Sequence, residues 1–465
     1  MDENAVLAIK KVSIFGMEIS QSSLTVSPLN FASFVYLFAC FSYFFALAKA
    51  GTKNEKFWNR FSALLIFIAW GAHTFGIFGR WYVGGLDRPP WTNLYESLIG
   101  FAWMFATFLV YAIWKWGAPL VGAFASPLIF LLMGMSVMTP NKDVEPLIPA
   151  LQSYWLKIHV LFGMISYAGF TIAACFGILH LFKNKVSHSK IGIGICTLML
   201  LNLGIAGGYE SWTMGKFMMT KTVARQMSDG TVQMVADRVP QYPGSNKMIT
   251  RLETVPYANA FYFAGVVGFV TSMGLFAKRR KKSKLSAHPE MDLDTTSLGT
   301  FVFSVAMVFG ICCMIALGMK SSPTLTLASN PYLTQLLAMS FFFAGLYLVI
   351  CWRFEGVYRA LPTAQRLDEL GYKNILFAFP FQTLLLVTGA IWAKYAWSRA
   401  WGWDPKEVWA LITWLVYLIY LHGKLLLNWK PNLLSAIAIL GFMVMVFAFL
   451  GVNLVLSGLH SYGAA

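Results

Sequence analysis

The stretch Trp397–Glu407, WSRAWGWDPKE, runs directly into VWALITWLVYLIYLH, which ends at His422, and its reading decides the fold of this chain. Asp404, Pro405 and Glu407 spell a helix start: an aspartate N-cap, a proline at the first helical position and a glutamate placed to close a capping box. A long apolar helix therefore begins here, with its partially positive end turned toward Trp397, Trp401 and Trp403. Indole rings gathered beside a helix N-terminus suit a flat apolar ring system that carries carboxylates. Single tryptophans at a membrane surface more often serve as anchors, but the run as a whole is more specific than that.

Working outward, apolar runs of about 20 residues, the length that crosses a bilayer, recur along the whole chain. They lie near 29–49, 60–79, 94–114, 118–138, 154–182, 190–208, 257–277, 299–319, 333–352, 373–395, 407–427 and 432–457. The pattern predicts an all-α, polytopic integral membrane protein with about twelve transmembrane helices. Composition agrees: of 465 residues, 57% are hydrophobic and 12% charged, which excludes an ordinary soluble enzyme. The formal charge of +16 would suggest nucleic acid in a soluble protein. Here the basic residues sit in short loops, so they report orientation and imply no nucleic acid partner.

Those loops alternate consistently. Lys49, Lys53, Lys56 and Arg60, then Lys183, Lys185 and Lys190, then the cluster from Lys278 to Lys284, then Arg353, Arg359 and Arg366, and finally Lys424 and Lys430 all fall on one face. By the positive-inside rule that face is cytoplasmic, with the basic cluster also suited to anionic membrane lipid. The opposite face then carries 80–93, 139–153, 209–256, 320–332, the tryptophan-rich stretch and both termini. The opening residues lack the order of a cleaved signal peptide, so the first span is expected to direct insertion. Cys40, Cys175, Cys196, Cys312, Cys313 and Cys351 form no CxxC pair, which argues against a dithiol redox role and against covalent haem attachment to this chain itself.

WSRAWGWDPKEVWALITWLVYLIYLH resembles the tryptophan-rich "WWD" signature of haem-handling membrane proteins, and is most similar to the CcsA (ResC) type subunit of the system II cytochrome c synthase. Ser398 stands where the usual pattern has its first glycine. The resemblance covers about 30–183, with GRWYVGGLDRPPWTNLYES and SYWLKIHVLFGMISYAGF, and about 361–465, with GVNLVLSGLHSYG. It suggests three parts: an N-terminal block 1–185, an inserted four-span region 186–355 with the external loop 209–256, and a C-terminal block 356–465 carrying the signature.

Histidine in or beside a membrane span is costly and hence a candidate for function. His159 and His460 fall at outer helix ends, on the face of the tryptophan-rich loop, where two imidazoles on opposite sides of an aromatic surface can give an iron porphyrin its axial ligands. The resemblance implies that role for both. It also implies that His422, on the cytoplasmic half of its helix, helps hold haem b before it crosses, together with a histidine from a separate CcsB (ResB) type membrane subunit. His180 offers an alternative local partner. His73 reads as a helix-packing residue, and His188 and His288 as solvated. Arg80, Arg88, Arg399 and Lys406 lie on the correct face to meet propionates, although arginine at an interface ordinarily snorkels to lipid phosphate, the default for Arg80. Arg80, Trp81, Pro89, Asn93, Tyr95 and Glu96 match the pattern of the resembled family, which implies a structural role for this segment in shaping the outer site. Asp404 can contact haem, but its capping role already accounts for it.

The expectation is a protein of the bacterial cytoplasmic membrane that moves haem to an external site made by Trp397, Trp401, Trp403, His159 and His460, where apocytochrome c presents a CxxCH segment for thioether formation. A haem exporter or chaperone that forms no thioether is the alternative. An ion or solute transporter is disfavoured, because the spans hold almost no carboxylates to line a path.

Overall fold

The computed structural model describes residues 11–14, 17–85, 87–91, 93–138, 153–184 and 354–452, together with residue 267 and six strands between 218 and 327. The chain divides into two compact units, one made of Met1–Val186 with Arg353–Ala465 and the other of Ser187–Trp352.

The first unit opens with an antiparallel hairpin, β1 (Lys11–Ile14) and β2 (Met17–Ser20), and a short turn of helix, α1 (Gln21–Thr25). Long helices follow: α2 (Ser27–Ala48), α3 (Glu55–Gly84), α4 (Leu94–Trp116), α5 (Gly122–Met138) and α6 (Tyr154–Lys183). After the second unit come the short α7 (Phe354–Ala360), then α8 (Ala364–Trp397), α9 (Pro405–Leu425) and α10 (Pro431–Val446). Among the described residues, eight helical stretches are long and apolar enough to cross a membrane. They coincide with eight of the expected spans. The other four, near 190–208, 257–277, 299–319 and 333–352, lie outside the described residues except for residue 267.

Local chemistry sets the helix ends. Asn93 caps α4 by accepting the Glu96 backbone N–H at 2.8 Å, and Gly117 ends it in the left-handed region at φ 61°, the usual C-terminal signature. Asp404 caps α9 with Pro405 behind it and the Glu407 carboxylate closing the box, as the sequence pattern requires.

The centre of the unit is α6. From Met164 to Cys175 nearly every side chain is buried, and the helix packs most extensively along α8, then against α10 and α4. Small residues permit the close approach: a Cβ on Gly169 would stand 2.7 Å from the Cβ of Ala378 on α8. In lipid such packing, with a few interhelical hydrogen bonds, replaces the hydrophobic effect as the source of association. Gln382 of α8 accepts from Ser166 of α6 at 3.0 Å and donates to the Ala410 carbonyl of α9 at 3.2 Å, so one buried amide joins three helices. Between α3 and α4 the indole N–H of Trp70 reaches Thr107 at 3.0 Å while that of Trp103 reaches Thr74 at 2.9 Å, a reciprocal pair.

One sequence expectation changes here and another holds. Arg80 does not snorkel to the lipid surface. It is 1% exposed, its Nε donates to Glu96 at 2.9 Å, and its guanidinium lies 4.8 Å from the Tyr95 ring centre. The carboxylate offsets part of the cost of taking the guanidinium out of water. His73 does pack between helices, with its Nδ1 3.4 Å from the Tyr36 hydroxyl.

In the second unit, β3 (Met218–Gln226) pairs antiparallel with β4 (Val232–Ala236), β7 (Leu252–Thr254) and β8 (Leu325–Leu327), and β5 (Arg238–Pro240) pairs with β6 (Met248–Thr250). Thr220 is registered with Leu252 in β7 and with Thr326 in β8. The segments 209–256 and 320–332, assigned to one face by the basic loops, thus meet in one small sheet.

Candidate functional site

A cavity of about 180 Å³ opens in the first unit where the start of α4, the first turns of α6, the C-terminal half of α8 and the start of α9 converge. Its wall is aromatic and aliphatic, with Trp91, Phe101, Trp392 and Trp401 among the rings and Leu156, Leu385 and Leu386 among the aliphatic groups. His159, Lys406 and Glu407 also line it. This mix of a largely apolar concavity and a few placed polar groups is typical of a small-molecule or cofactor site.

His159 sits in the second turn of α6. Its Nδ1 is 2.9 Å from the main-chain carbonyl of Leu385 on α8. A carbonyl only accepts, so Nδ1 carries the proton and Nε2 becomes the nitrogen with the lone pair, the arrangement of a metal-ligating imidazole held by an outer partner. The imidazole lies against Trp392, ring centres 6.1 Å apart and planes 24° from parallel. Gly389 makes the space: a Cβ there would be 2.8 Å from His159 Cε1 and 2.9 Å from Nδ1.

The three tryptophans of the quoted stretch take different positions. Trp401 lines the cavity. Trp397 meets Trp392 edge to face at 4.9 Å, behind the lining. Trp403 stands perpendicular to Trp401 at 5.8 Å and is 71% exposed. Its backbone is left-handed, φ 55°, which a bulky residue rarely adopts and which costs free energy that the surroundings must offset. The capping box does so: the Glu407 carboxylate accepts from Gly402 N at 2.8 Å and from Asp404 N at 3.2 Å. Asp404 is buried at the helix start, accepting from the Lys406 backbone N–H, and is not among the residues that line the cavity.

The candidate cations are sorted as well. Arg80 is bound to Glu96, and Arg88 lies 3.6 Å from the same carboxylate. Arg399 is exposed and lays its guanidinium over Gly402, where a Cβ would be 2.7 Å from Cζ. Lys406 faces the cavity. On the opposite side, His422 is exposed in the last turn of α9, its Nδ1 3.0 Å from the Leu418 carbonyl. His180 is buried with its Nδ1 2.9 Å from the Ser435 hydroxyl, an interaction with α10. His460, His188 and His288 lie outside the described residues.

Sequence reasoning passed over Trp91 and Trp392, though both belong to runs that carry the resemblance. It had no means of finding Leu385, whose contribution is a main-chain oxygen 226 positions from His159.

Comparison with known proteins places the chain in a family. The family model described as "Cytochrome C assembly protein" matches residues 91–316 and 323–460. The match takes in Trp91, His159, the 397–407 stretch and His422, ends at His460, and runs through most of 186–355, the segment read above as inserted. The chain is 27% identical over 391 residues to the cytochrome c biogenesis protein CcsA of Nostoc punctiforme, covering 83% of each. It is 26% identical to that of Pyropia yezoensis over 451 residues, 96% of this chain and 98% of the relative. Among solved structures, cytochrome c haem lyase CcmF aligns over 96% of this chain at 11% identity with a TM-score of 0.31. With well over half its length matched, this multi-pass membrane chain belongs to the cytochrome c assembly protein family and takes part in cytochrome c maturation.

Proposed function

We propose that this chain carries haem b to the non-cytoplasmic side of its membrane and holds it in the cavity beside His159 while thioether bonds form to apocytochrome c. The observation that carries the reading is the His159 imidazole in an aromatic-walled cavity, its Nδ1 fixed by the Leu385 carbonyl so that Nε2 is the basic nitrogen. His159 supplies one axial ligand and His460 the other. The indoles of Trp91 and Trp401 offer the porphyrin aromatic surface, while Trp392, nearly parallel to the imidazole, meets it edge-on.

In the reaction each cysteine S–H of the CxxCH segment adds across a vinyl C=C, sulfur bonding to the carbon next to the ring and hydrogen to the terminal carbon, with no net oxidation. Such an addition asks for positioning rather than an acid–base pair. His422, exposed at the other end of α9, presents its ring outward from this chain, where an imidazole of a CcsB-type subunit can share an iron with it before haem crosses.

The test is spectroscopic and chemical together. The purified chain is compared with His159→Gly and His460→Gly for a low-spin bis-imidazole absorption spectrum, and co-expression with a CcsB-type subunit and a cytochrome c reporter is scored for covalent haem. Loss of the low-spin signal in both variants and covalent haem only with intact protein support the reading. A low-spin spectrum that survives both substitutions overturns it. Haem uptake without covalent product favours the second reading, delivery without synthesis.

A further inference from the structure

Resting on the haem reading above, we propose that Thr388 of α8 is a positioning residue that acts through the Leu385 carbonyl: its hydroxyl shares that oxygen with His159 and so limits how strongly the imidazole can donate to an iron. Thr388 is buried, and its Oγ1 donates to the Leu384 carbonyl at 2.6 Å while lying 3.3 Å from the Leu385 carbonyl. The Leu385 oxygen is the one that His159 Nδ1 meets at 2.9 Å.

A main-chain oxygen has two lone pairs. Leu385 lies inside α8, so the regular helix bond from the Gly389 N–H takes one of them, and the imidazole takes the other. The Thr388 proton, divided between two carbonyls of the preceding turn as is common for a hydroxyl bonded back into its own helix, competes for an oxygen whose capacity is already used. A partner on Nδ1 raises the basicity of Nε2, so a weakened bond to Leu385 leaves Nε2 a weaker donor. Thr171, Thr383 and Thr413 bond back to Tyr167, Phe379 and Trp409 in the same way. Among the carbonyls these threonines meet, Leu385 is the one that a histidine also meets. With the hydroxyl gone, that lone pair belongs to His159 alone.

The experiment labels the histidines of the full-length chain isotopically and reads the His159 Nδ1–H proton by NMR in detergent, without haem, the signal being assigned by its loss in His159→Gln. Thr388→Val keeps the shape, removes the hydroxyl and is expected to move that proton downfield, the mark of a stronger hydrogen bond. Thr388→Ala moves it the same way, and Thr388→Ser leaves it at the wild-type position. Thr171→Val, which deletes a hydroxyl about three turns along α6 from His159, leaves it unmoved. With haem bound, the ferrous-to-ferric ratio at a fixed potential, read from the Soret band, should fall about twofold in Thr388→Val, as for one weak hydrogen bond. An unmoved or upfield proton in Thr388→Val and Thr388→Ala, a valine-like shift in Thr388→Ser, an equal shift in Thr171→Val, or an unchanged ferrous-to-ferric ratio overturns the proposal. A chain that takes up no haem overturns the haem reading instead, and the haem-free NMR signal still decides whether Thr388 acts on His159.

Discussion

The imidazole of His159 and the backbone carbonyl of Leu385 meet at 2.9 Å across two helices that are joined along most of their length. The contact makes the orientation of a cavity residue depend on helix packing rather than on another side chain. A main-chain oxygen cannot titrate or rotate away, so the ring is held as firmly as α6 and α8 hold each other. Such outer partners fix the tautomer of a ligating histidine and raise its basicity.

Gly389 is the position through which that orientation can be disturbed without touching His159. Adding a methyl in Gly389→Ala places carbon 2.8 Å from Cε1, so the ring must move and the bond to Leu385 must lengthen. Overpacking of this kind costs about 1–3 kcal/mol. The expected result is a shift of bound haem from low-spin toward high-spin absorption with helix content unchanged by circular dichroism. An unaltered low-spin spectrum in Gly389→Ala would show that the ring does not need its present place.

Ser398 ends α8 at φ 57°, ψ 12°, in the left-handed region. A glycine at this point would take that backbone without strain, so serine is not equivalent to it merely by being small. Left-handed geometry costs an L-residue roughly 1–2 kcal/mol, offset in glycine by a larger unfolded-state entropy of about 0.5–1 kcal/mol. Ser398→Gly should stabilise the protein by about 0.5–1 kcal/mol, seen as a higher thermal midpoint in detergent. A lower midpoint would mean that the serine hydroxyl contributes more than its backbone costs.

How much of this was legible in the sequence follows from the range of each interaction. The start of α9 is local: Asp404, Pro405 and Glu407 lie within one turn and satisfy one another, so the pattern could be read directly. The spans were legible because lipid forces every backbone group into a helix and every such helix into a long apolar run. The default of snorkelling failed for Arg80 because its partner Glu96 lies on the next helix, although the pattern holding both residues had also implied a structural role. The cavity was legible only in part. Trp401 and His159 could be named, but which indoles face inward depends on how α8 turns about α6, and that is set by small-residue contacts such as Gly169 with Ala378.

The Arg80–Glu96 pair predicts an asymmetry. Both side chains are 1% exposed, and Arg88 is a second cation 3.6 Å from the same carboxylate. Glu96→Gln leaves a buried guanidinium without its anion, a change that typically costs about 3–5 kcal/mol. Arg80→Gln leaves Glu96 with Arg88, so it should cost less. Thermal unfolding of the two variants in detergent measures the order, and a milder effect for Glu96→Gln would refute it.

The reciprocal contacts of Trp70 with Thr107 and Trp103 with Thr74 allow the strength of one interhelical hydrogen bond to be measured in place. Within each helix the tryptophan precedes the threonine by four residues, and each threonine hydroxyl also donates to the carbonyl of that tryptophan, at 2.7 Å for Thr74 and 2.8 Å for Thr107. Each hydroxyl therefore donates within its own helix and accepts from the neighbour, so its hydrogen-bonding capacity is used on both sides. Trp70→Phe removes the donor and Thr107→Val the acceptor with little change of volume. A double-mutant cycle should give a coupling of about 0.6 kcal/mol, and no more than about 1.7 kcal/mol, because the helices separated in lipid find other partners. The same cycle on Trp103→Phe and Thr74→Val should give a matching value if the two clamps are equivalent, and zero coupling in both would assign the association of α3 and α4 to packing alone.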